Sequence, residues 1–238
     1  MKLALFDLDG TLLQGDSDHA FGEHMVALGW ADPDEFRRRN DVYYRQYLDG
    51  VLDIHDYIDF ATSAWRFRDD AQIRHARQSF IERFALPSLR REALELVQRH
   101  RQAGDLVAIV TATNDFVTQP FAELFGVDTL IATELARDAH GRATGAIRGT
   151  PSFREGKIER VEQWLHSLGR RLREFECSVF YSDSTNDLPL LEAVSHPVAT
   201  NPGPGLARIA QQRGWPILRL FEPTLHDQEA HPTPAGQV

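Results

Sequence analysis

Four short apolar runs, Leu3–Phe6, Leu106–Val110, Ser178–Tyr181 and Pro197–Ala199, recur along the chain, each bounded by Gly, Asp, Thr or Asn. Runs apolar on both faces predict buried parallel strands, and the stretches between them are long enough for helices. A helix is expected over Phe116–Phe125. Another begins near Glu155 and sets Ile158, Val161, Leu165 and Leu168 on one stripe. Strands alternating with helical patterns predict an α/β fold: an open parallel Rossmann-like sheet with helices on both faces.

Two stretches break that rhythm. Residues 14–85 contain no convincing strand but carry helical periods over Phe36–Leu48, Ile54–Phe67 and Ile73–Phe84, which predicts a separate helical insert after the first strand. Its aromatic series, Tyr43, Tyr44, Tyr47, Tyr57, Phe60, Trp65 and Phe67, reads as helix packing. Thr129–Gly149 reads as a β-hairpin turning through Asp138-Ala139-His140-Gly141. The expected organisation is an α/β core of residues 1–13 and 86–221, a helical insert of 14–85 and a C-terminal tail of 222–238. From Thr224 to Val238 that tail is polar, rich in Pro and His, without apolar period, and reads as a mobile end.

Composition narrows the partners. The formal charge is −9, and the Arg clusters at 37–39, 90–91 and 170–171 sit among acidic residues, so no basic stripe for a nucleic acid is expected. Cys177 is the single cysteine, which rules out an internal disulfide. The apolar start of the chain is too short for a signal peptide, and no segment approaches the roughly 18 apolar residues of a membrane span, so the cytoplasm is expected. Gly203-Pro204-Gly205 is an incomplete dinucleotide loop and reads as a turn.

The chemistry lies at the strand ends. Asp7-Leu8-Asp9-Gly10-Thr11 follows the first run, Thr111-Ala112-Thr113-Asn114 the second, and Asp183-Ser184-Thr185-Asn186-Asp187 the third; Lys157 falls in the first turn of the helix before the third. In an open parallel sheet the carboxyl ends share one edge, where ligands bind, so these clusters are expected to converge. Asp7, Asp183 and Asp187 together suit a hard, oxygen-loving cation such as Mg2+. Lys157 adds a positive charge beside them. Two unit charges about 4 Å apart repel by roughly 4 kcal/mol at an effective dielectric near 20, so a carboxylate attacking an anion needs such cations.

These motifs, in this order, resemble the haloacid dehalogenase superfamily of phosphatases, and the insert resembles the small helical cap of its phosphoserine-phosphatase-like branch. The resemblance implies that Asp7 is the nucleophile, forming an aspartyl phosphate, and that Asp9 protonates the leaving alkoxide and later activates water. It also implies that Thr111, the backbone N–H of Ala112, Lys157 and Asn186 bind the phosphoryl group. Asp7, Asp183, Asp187 and the Asp9 carbonyl are implied to bind Mg2+. Halide expulsion needs no proton, so the acid at position 9 favours a phosphatase over a dehalogenase. A phospho-aspartate receiver domain, the non-enzymatic alternative, carries its paired acids before the phosphorylated one and has no cap.

Phosphoserine phosphatases carry a cap Glu nine residues after the nucleophile and a cap Arg for the substrate carboxylate. Asp16 and Ala61 stand at those places here, with Arg66 the nearest arginine. The cap entrance is instead acidic, through Asp16, Asp18, Glu23, Asp53, Asp56 and Asp59, which favours a substrate with a cationic remote end. Gly15-Asp16-Ser17-Asp18-His19 and Tyr181-Ser182-Asp183 resemble histidinol-phosphatases of this branch. L-Histidinol phosphate is therefore the first expectation, phosphoserine the second, and Asp16, Asp18 and His19 the candidate specificity residues. His19 and His24 are each read as lining the pocket or lying at the surface.

Overall fold

The computed structural model describes residues 1–221; the tail expected over 222–238 lies outside the described residues. Strand β1 (Lys2–Phe6) is followed by four helices, α1 (Ser17–Ala27), α2 (Pro33–Leu48), α3 (Ile54–Ser63) and α4 (Asp70–Phe80). A π-turn at Ile81–Ala85 and a short helix α5 (Leu86–Ser88) return the chain to α6 (Arg91–Gln102) and β2 (Leu106–Asn114). Then come α7 (Asp115–Phe125), β3 (Leu130–Thr133), a hairpin of β4 (Leu135–Arg137) and β5 (Ala143–Ile147), and α8 (Glu155–Ser167). The remainder is β6 (Cys177–Ser182), α9 (Leu188–Ala193), β7 (His196–Thr200), α10 (Pro204–Arg213) and β8 (Ile217–Leu218).

Six strands form one parallel sheet in the order β3-β2-β1-β6-β7-β8, with β1 paired to β2 and β6. This central position explains why Leu3, Ala4, Leu5 and Phe6 are all fully buried. Because side chains alternate along a strand, Leu3 and Leu5 pack with Val161 and Leu165 of α8, Leu190 of α9 and Leu206 of α10. Ala4 and Phe6 face the other way, toward α6, α7 and the inserted helices. Phe21, Met25, Ile58, Trp65 and Phe80 of the insert join that same apolar cluster, while buried Phe36 and Phe60 stack on each other between the insert's own helices.

Each helix of the insert opens on an aspartate. Asp16, Asp32, Asp53 and Asp69 accept backbone N–H bonds from the first turns of α1, α2, α3 and α4. α1 is not marked by apolar periodicity: its buried residues are Ser17, Asp18, Phe21, Gly22, His24 and Met25. Gly22 is required because a Cβ there would meet the Phe36 ring at 2.6 Å.

Several expectations need correction. The Thr129–Leu135 segment is not one hairpin arm. Leu130–Thr133 is the edge strand of the main sheet, paired parallel with β2, and only Leu135–Arg137 enters the hairpin. β2 runs on through Asn114 with a bulge, so Thr111 lies within it rather than after it. Leu168 is 48% exposed, because α8 ends before it. Tyr44 and Phe67 are exposed rather than packed, and the Arg66 guanidinium covers the Phe67 ring. Gly203-Pro204-Gly205 opens α10, with Pro204 in its first turn.

Candidate active site

The carboxyl ends of β1, β2 and β6 bring the acidic and basic residues together. Asp7 follows β1 directly, and its N–H donates to the Tyr181 carbonyl at 2.9 Å. Lys157, in the first turn of α8, donates from Nζ to Asp7 Oδ1 at 2.9 Å and to Asp187 Oδ2 at 2.8 Å, and it is 2% exposed. Asp187 is fixed in turn by the Ser182 hydroxyl at 2.7 Å. Burial opposes the Lys157 charge, but the attraction of Asp187 and Asp7 outweighs it and holds the ammonium above its ordinary range. Burial also raises Asp7, to about 6, with Lys157 pulling down and Asp187 pushing up.

Asp9 is held from two sides, Oδ1 by the Ser17 N–H at 2.7 Å and Oδ2 by the Thr113 hydroxyl at 2.9 Å. Burial first, then the charge of Asp16, pushes its pKa well up, which suits a group that must carry a proton. Thr111 is buried, and its Oγ1 accepts the Thr113 N–H at 3.2 Å, with Ala112 half-buried between them. Asp183 accepts from the Thr11 hydroxyl at 3.2 Å. Gly10 adopts φ 71°, and a Cβ there would lie 2.4 Å from Asp183 Oδ2, so only glycine lets this carboxylate approach the loop. Asn201, after β7, secures the same loop by donating to the carbonyls of Gly10 and Thr11 at 3.0 and 3.1 Å.

The donor set fits a divalent cation in charge and hardness. Asp7 and Asp187 share the one ammonium of Lys157, and burial followed by the charges of Asp7 and Asp187 pushes Asp183 well above the carboxylate range. An all-oxygen group with surplus negative charge is what a magnesium-like ion neutralises. Among the described residues no three acidic, His or Cys side chains converge as a ready-made metal cage. Lys157 takes up Asp187 and one oxygen of Asp7, so side-chain ligation would rest mainly on Asp7 and Asp183.

The remaining candidates lie around this centre and are bonded to other groups or exposed. Asn186 donates its amide to the Tyr47 carbonyl at 3.1 Å and accepts from Arg154 Nε at 3.4 Å. Arg154 also bonds the Gly50 carbonyl, and the Tyr47 hydroxyl donates to Ser184 at 3.2 Å, so this strand end grips the end of α2. Asp16 is exposed and caps α1; His19 is exposed, with Nδ1 2.7 Å from the Asn40 amide. Asp18 alone of the three is buried, at 7% exposure. His24 is buried beside the Ala76 carbonyl, 3.1 Å away, in a packing role. Thr11, Thr113, Arg154 and Asn201 escaped the sequence reading as site residues, although Thr113 lay inside a polar cluster and Thr11 inside a motif it did recognise.

Residues 4–192 match the haloacid dehalogenase-like hydrolase family, and the chain belongs to it. It is an enzyme of the phosphatase class within that family. A histidinol-phosphatase of Neisseria meningitidis is 40% identical over 92% of this chain and 99% of its own. A solved structure of a protein of unknown function from Bordetella pertussis is 48% identical, with TM-score 0.87, over 92% of this chain and 99% of that one. A substrate-bound phosphoserine phosphatase shares the fold at 18% identity, with TM-score 0.65, over 96% and 97% of the two chains. Among the described residues no helix is long and apolar enough to cross a membrane.

Proposed function

We propose that the chain hydrolyses L-histidinol phosphate through an aspartyl phosphate on Asp7, with Mg2+ as cofactor. The observation that carries the catalytic part is the Lys157 ammonium bonded to both Asp7 and Asp187 at the sheet edge. In this reading Asp7 attacks phosphorus while Lys157, the Thr111 hydroxyl and the Ala112 N–H hold phosphoryl oxygens. Asn186 keeps the α2 end against the strand-end loop beside them. Asp7 and Asp183, with the Asp9 carbonyl and Asp187, would hold the magnesium, which supplies positive charge to the phosphoryl oxygens when bound.

Asp9 delivers its proton to the departing alkoxide oxygen, then takes a proton from the water that attacks the aspartyl phosphate. Its two oxygens, already bonded to Ser17 and Thr113, keep the group aimed through both steps. The receiver-domain alternative lacks support, since such domains carry no acid in this position.

The substrate part draws on the 40% identical histidinol-phosphatase and on the fate of the arginine nearest the phosphoserine-specific position. Arg66 is paired with Asp59 at 2.6 Å and bonded to Thr62 at 3.0 Å. It also packs against Gly145 of the hairpin, where a Cβ would clash with it. A guanidinium whose Nη1 is taken by Asp59 and Thr62, and whose unbonded Nε is buried, is a poor bidentate partner for a substrate carboxylate. Parallel kinetics on L-histidinol phosphate, phosphoserine and a sugar phosphate test this choice. The highest kcat/KM is expected on histidinol phosphate, and equal or better turnover of phosphoserine contradicts it.

A further inference from the structure

The acidic entrance expected from the sequence is largely consumed by the fold. Asp16 and Asp53 cap helices, Glu23 accepts three bonds from Arg37 at 2.7–3.1 Å, and Asp59 pairs with Arg66. Asp18 differs from all of these. It is 7% exposed, its Oδ1 accepts from the Asn114 amide at 3.3 Å, and its Oδ2 has no hydrogen-bond partner. The neighbouring Ser17 hydroxyl, fully buried, is also without a partner. A buried carboxylate oxygen left unbonded is costly, and native proteins rarely leave one without a purpose.

The surroundings of Asp18 say what it lacks. Asn114 ends β2, three residues beyond Thr111, and the Ser17 backbone N–H holds Asp9. The third neighbour is Tyr57 of α3, whose phenol is pushed well up by burial and then by the charges of Asp18, Asp16 and Asp9. Its hydroxyl stabilises the Asp18 charge in part without closing a bond of ordinary geometry to Oδ2. No cationic side chain among the described residues pairs with Asp18. Asp18 is next in the chain to Ser17, whose N–H holds Asp9, the group assigned to the leaving alkoxide.

We infer that Asp18, flanked by Tyr57 and Asn114, is the subsite for a protonated amine on the leaving group. The substrate class is then phosphate monoesters of amino alcohols that carry no carboxylate. This rests on the phosphatase reading above and assigns one residue to amine recognition, with Asp16 and His19 left to shape α1. An ammonium there donates to Oδ2, completes the bonding of Asp18 and stabilises it in its charged form.

The test compares wild-type and Asp18→Asn enzymes on L-histidinol phosphate and its N-acetyl derivative, with p-nitrophenyl phosphate reading phosphoryl transfer alone. Wild-type kcat/KM is expected to fall roughly 10- to 100-fold on N-acetylation, the size of a lost charge-assisted bond in a buried setting. In Asp18→Asn the amine-to-amide ratio is expected to collapse to within about threefold, and Asp18→Glu, which keeps the charge, recovers part of it. A purely structural role for Asp18 lowers turnover of all three esters alike and leaves the ratio intact, which overturns the inference. So does a wild-type enzyme that ignores N-acetylation while still hydrolysing p-nitrophenyl phosphate. A wild-type enzyme that hydrolyses no ester defeats the phosphatase reading and the inference together. If Asp18→Asn fails to fold by circular dichroism, Asp18→Ser reads the same ratio.

Discussion

Two acidic clusters lie close together where the inserted helices meet the sheet, and among the described residues a cation is supplied to only one of them. Around Asp7 and Asp187 the Lys157 ammonium closes two bonds at 2.9 and 2.8 Å, and the Ser182 hydroxyl closes a third. Around Asp18 there is an amide, a phenol and an unbonded oxygen. The difference separates machinery from recognition. A phosphoryl group is common to every substrate of such an enzyme, so its counter-charge is built in and prearranged. The remote end differs between substrates, and a carboxylate awaiting its partner discriminates because the wrong ligand leaves it unpaired.

Substitutions at the two clusters should therefore fail in different ways. The largest effect is expected for Asp7→Asn, which removes the nucleophile and one carboxylate of the cation site; kcat is expected to fall at least about 1,000-fold with the fold intact by circular dichroism. Lys157→Ala leaves Asp7 and Asp187 buried without a counter-charge. Beyond losing activity, it is expected to destabilise the protein by about 3–5 kcal/mol in urea titration, as breaking a buried pair does. Exhaustive treatment with EDTA should silence turnover, and added Mg2+ should restore it; full activity after chelation would contradict the cofactor assignment.

At the second cluster the expected sign is reversed. Burial, then Asp16, raises Asp18 to about 7, with Tyr57 and Asn114 opposing in part. A carboxylate with a raised folded pKa leaves stability intact below its unfolded value and lowers it as pH rises toward 7, because the folded state resists the charge. Asp18→Asn is thus expected to stabilise the ligand-free protein by roughly 2–4 kcal/mol at pH 8 and by little at pH 4. Thermal melts across that range check it, and a pH-independent difference contradicts it. The smallest effect is expected for Asp53→Ala. Loss of the α3 cap costs about 1 kcal/mol, and the preference for an amine over an amide stays unchanged.

Much of the fold was legible because buried parallel strands read as unbroken apolar runs, as at Leu3–Phe6 and Ser178–Tyr181. The catalytic residues were legible for a related reason: polar clusters directly after such runs have one edge to share. α1 was not legible, since the face it turns inward sets only Phe21 and Met25 among Ser17, Asp18, Gly22 and His24. A helix whose buried face is polar shows no apolar stripe. The Leu130–Leu135 run misled because one apolar sequence crosses from the main sheet into the hairpin with a single residue between the strands. The acidic entrance misled differently. Aspartate is as useful for capping a helix as for attracting a cation, and only the hydrogen bonds of Asp16 and Asp53 distinguish the two uses.

The most direct test is to follow the phosphoryl group. Asp9→Asn enzyme, slowed in the water-attack step, is mixed with p-nitrophenyl phosphate, whose leaving group departs without a proton, quenched in acid and digested, and its peptides are weighed by mass spectrometry. One phosphoryl mass on the peptide containing Asp7 is the expected result, absent when Asp7 is also changed to Asn. Turnover with no phosphorylated peptide, or with the phosphoryl group on another residue, contradicts the assignment of Asp7 as nucleophile.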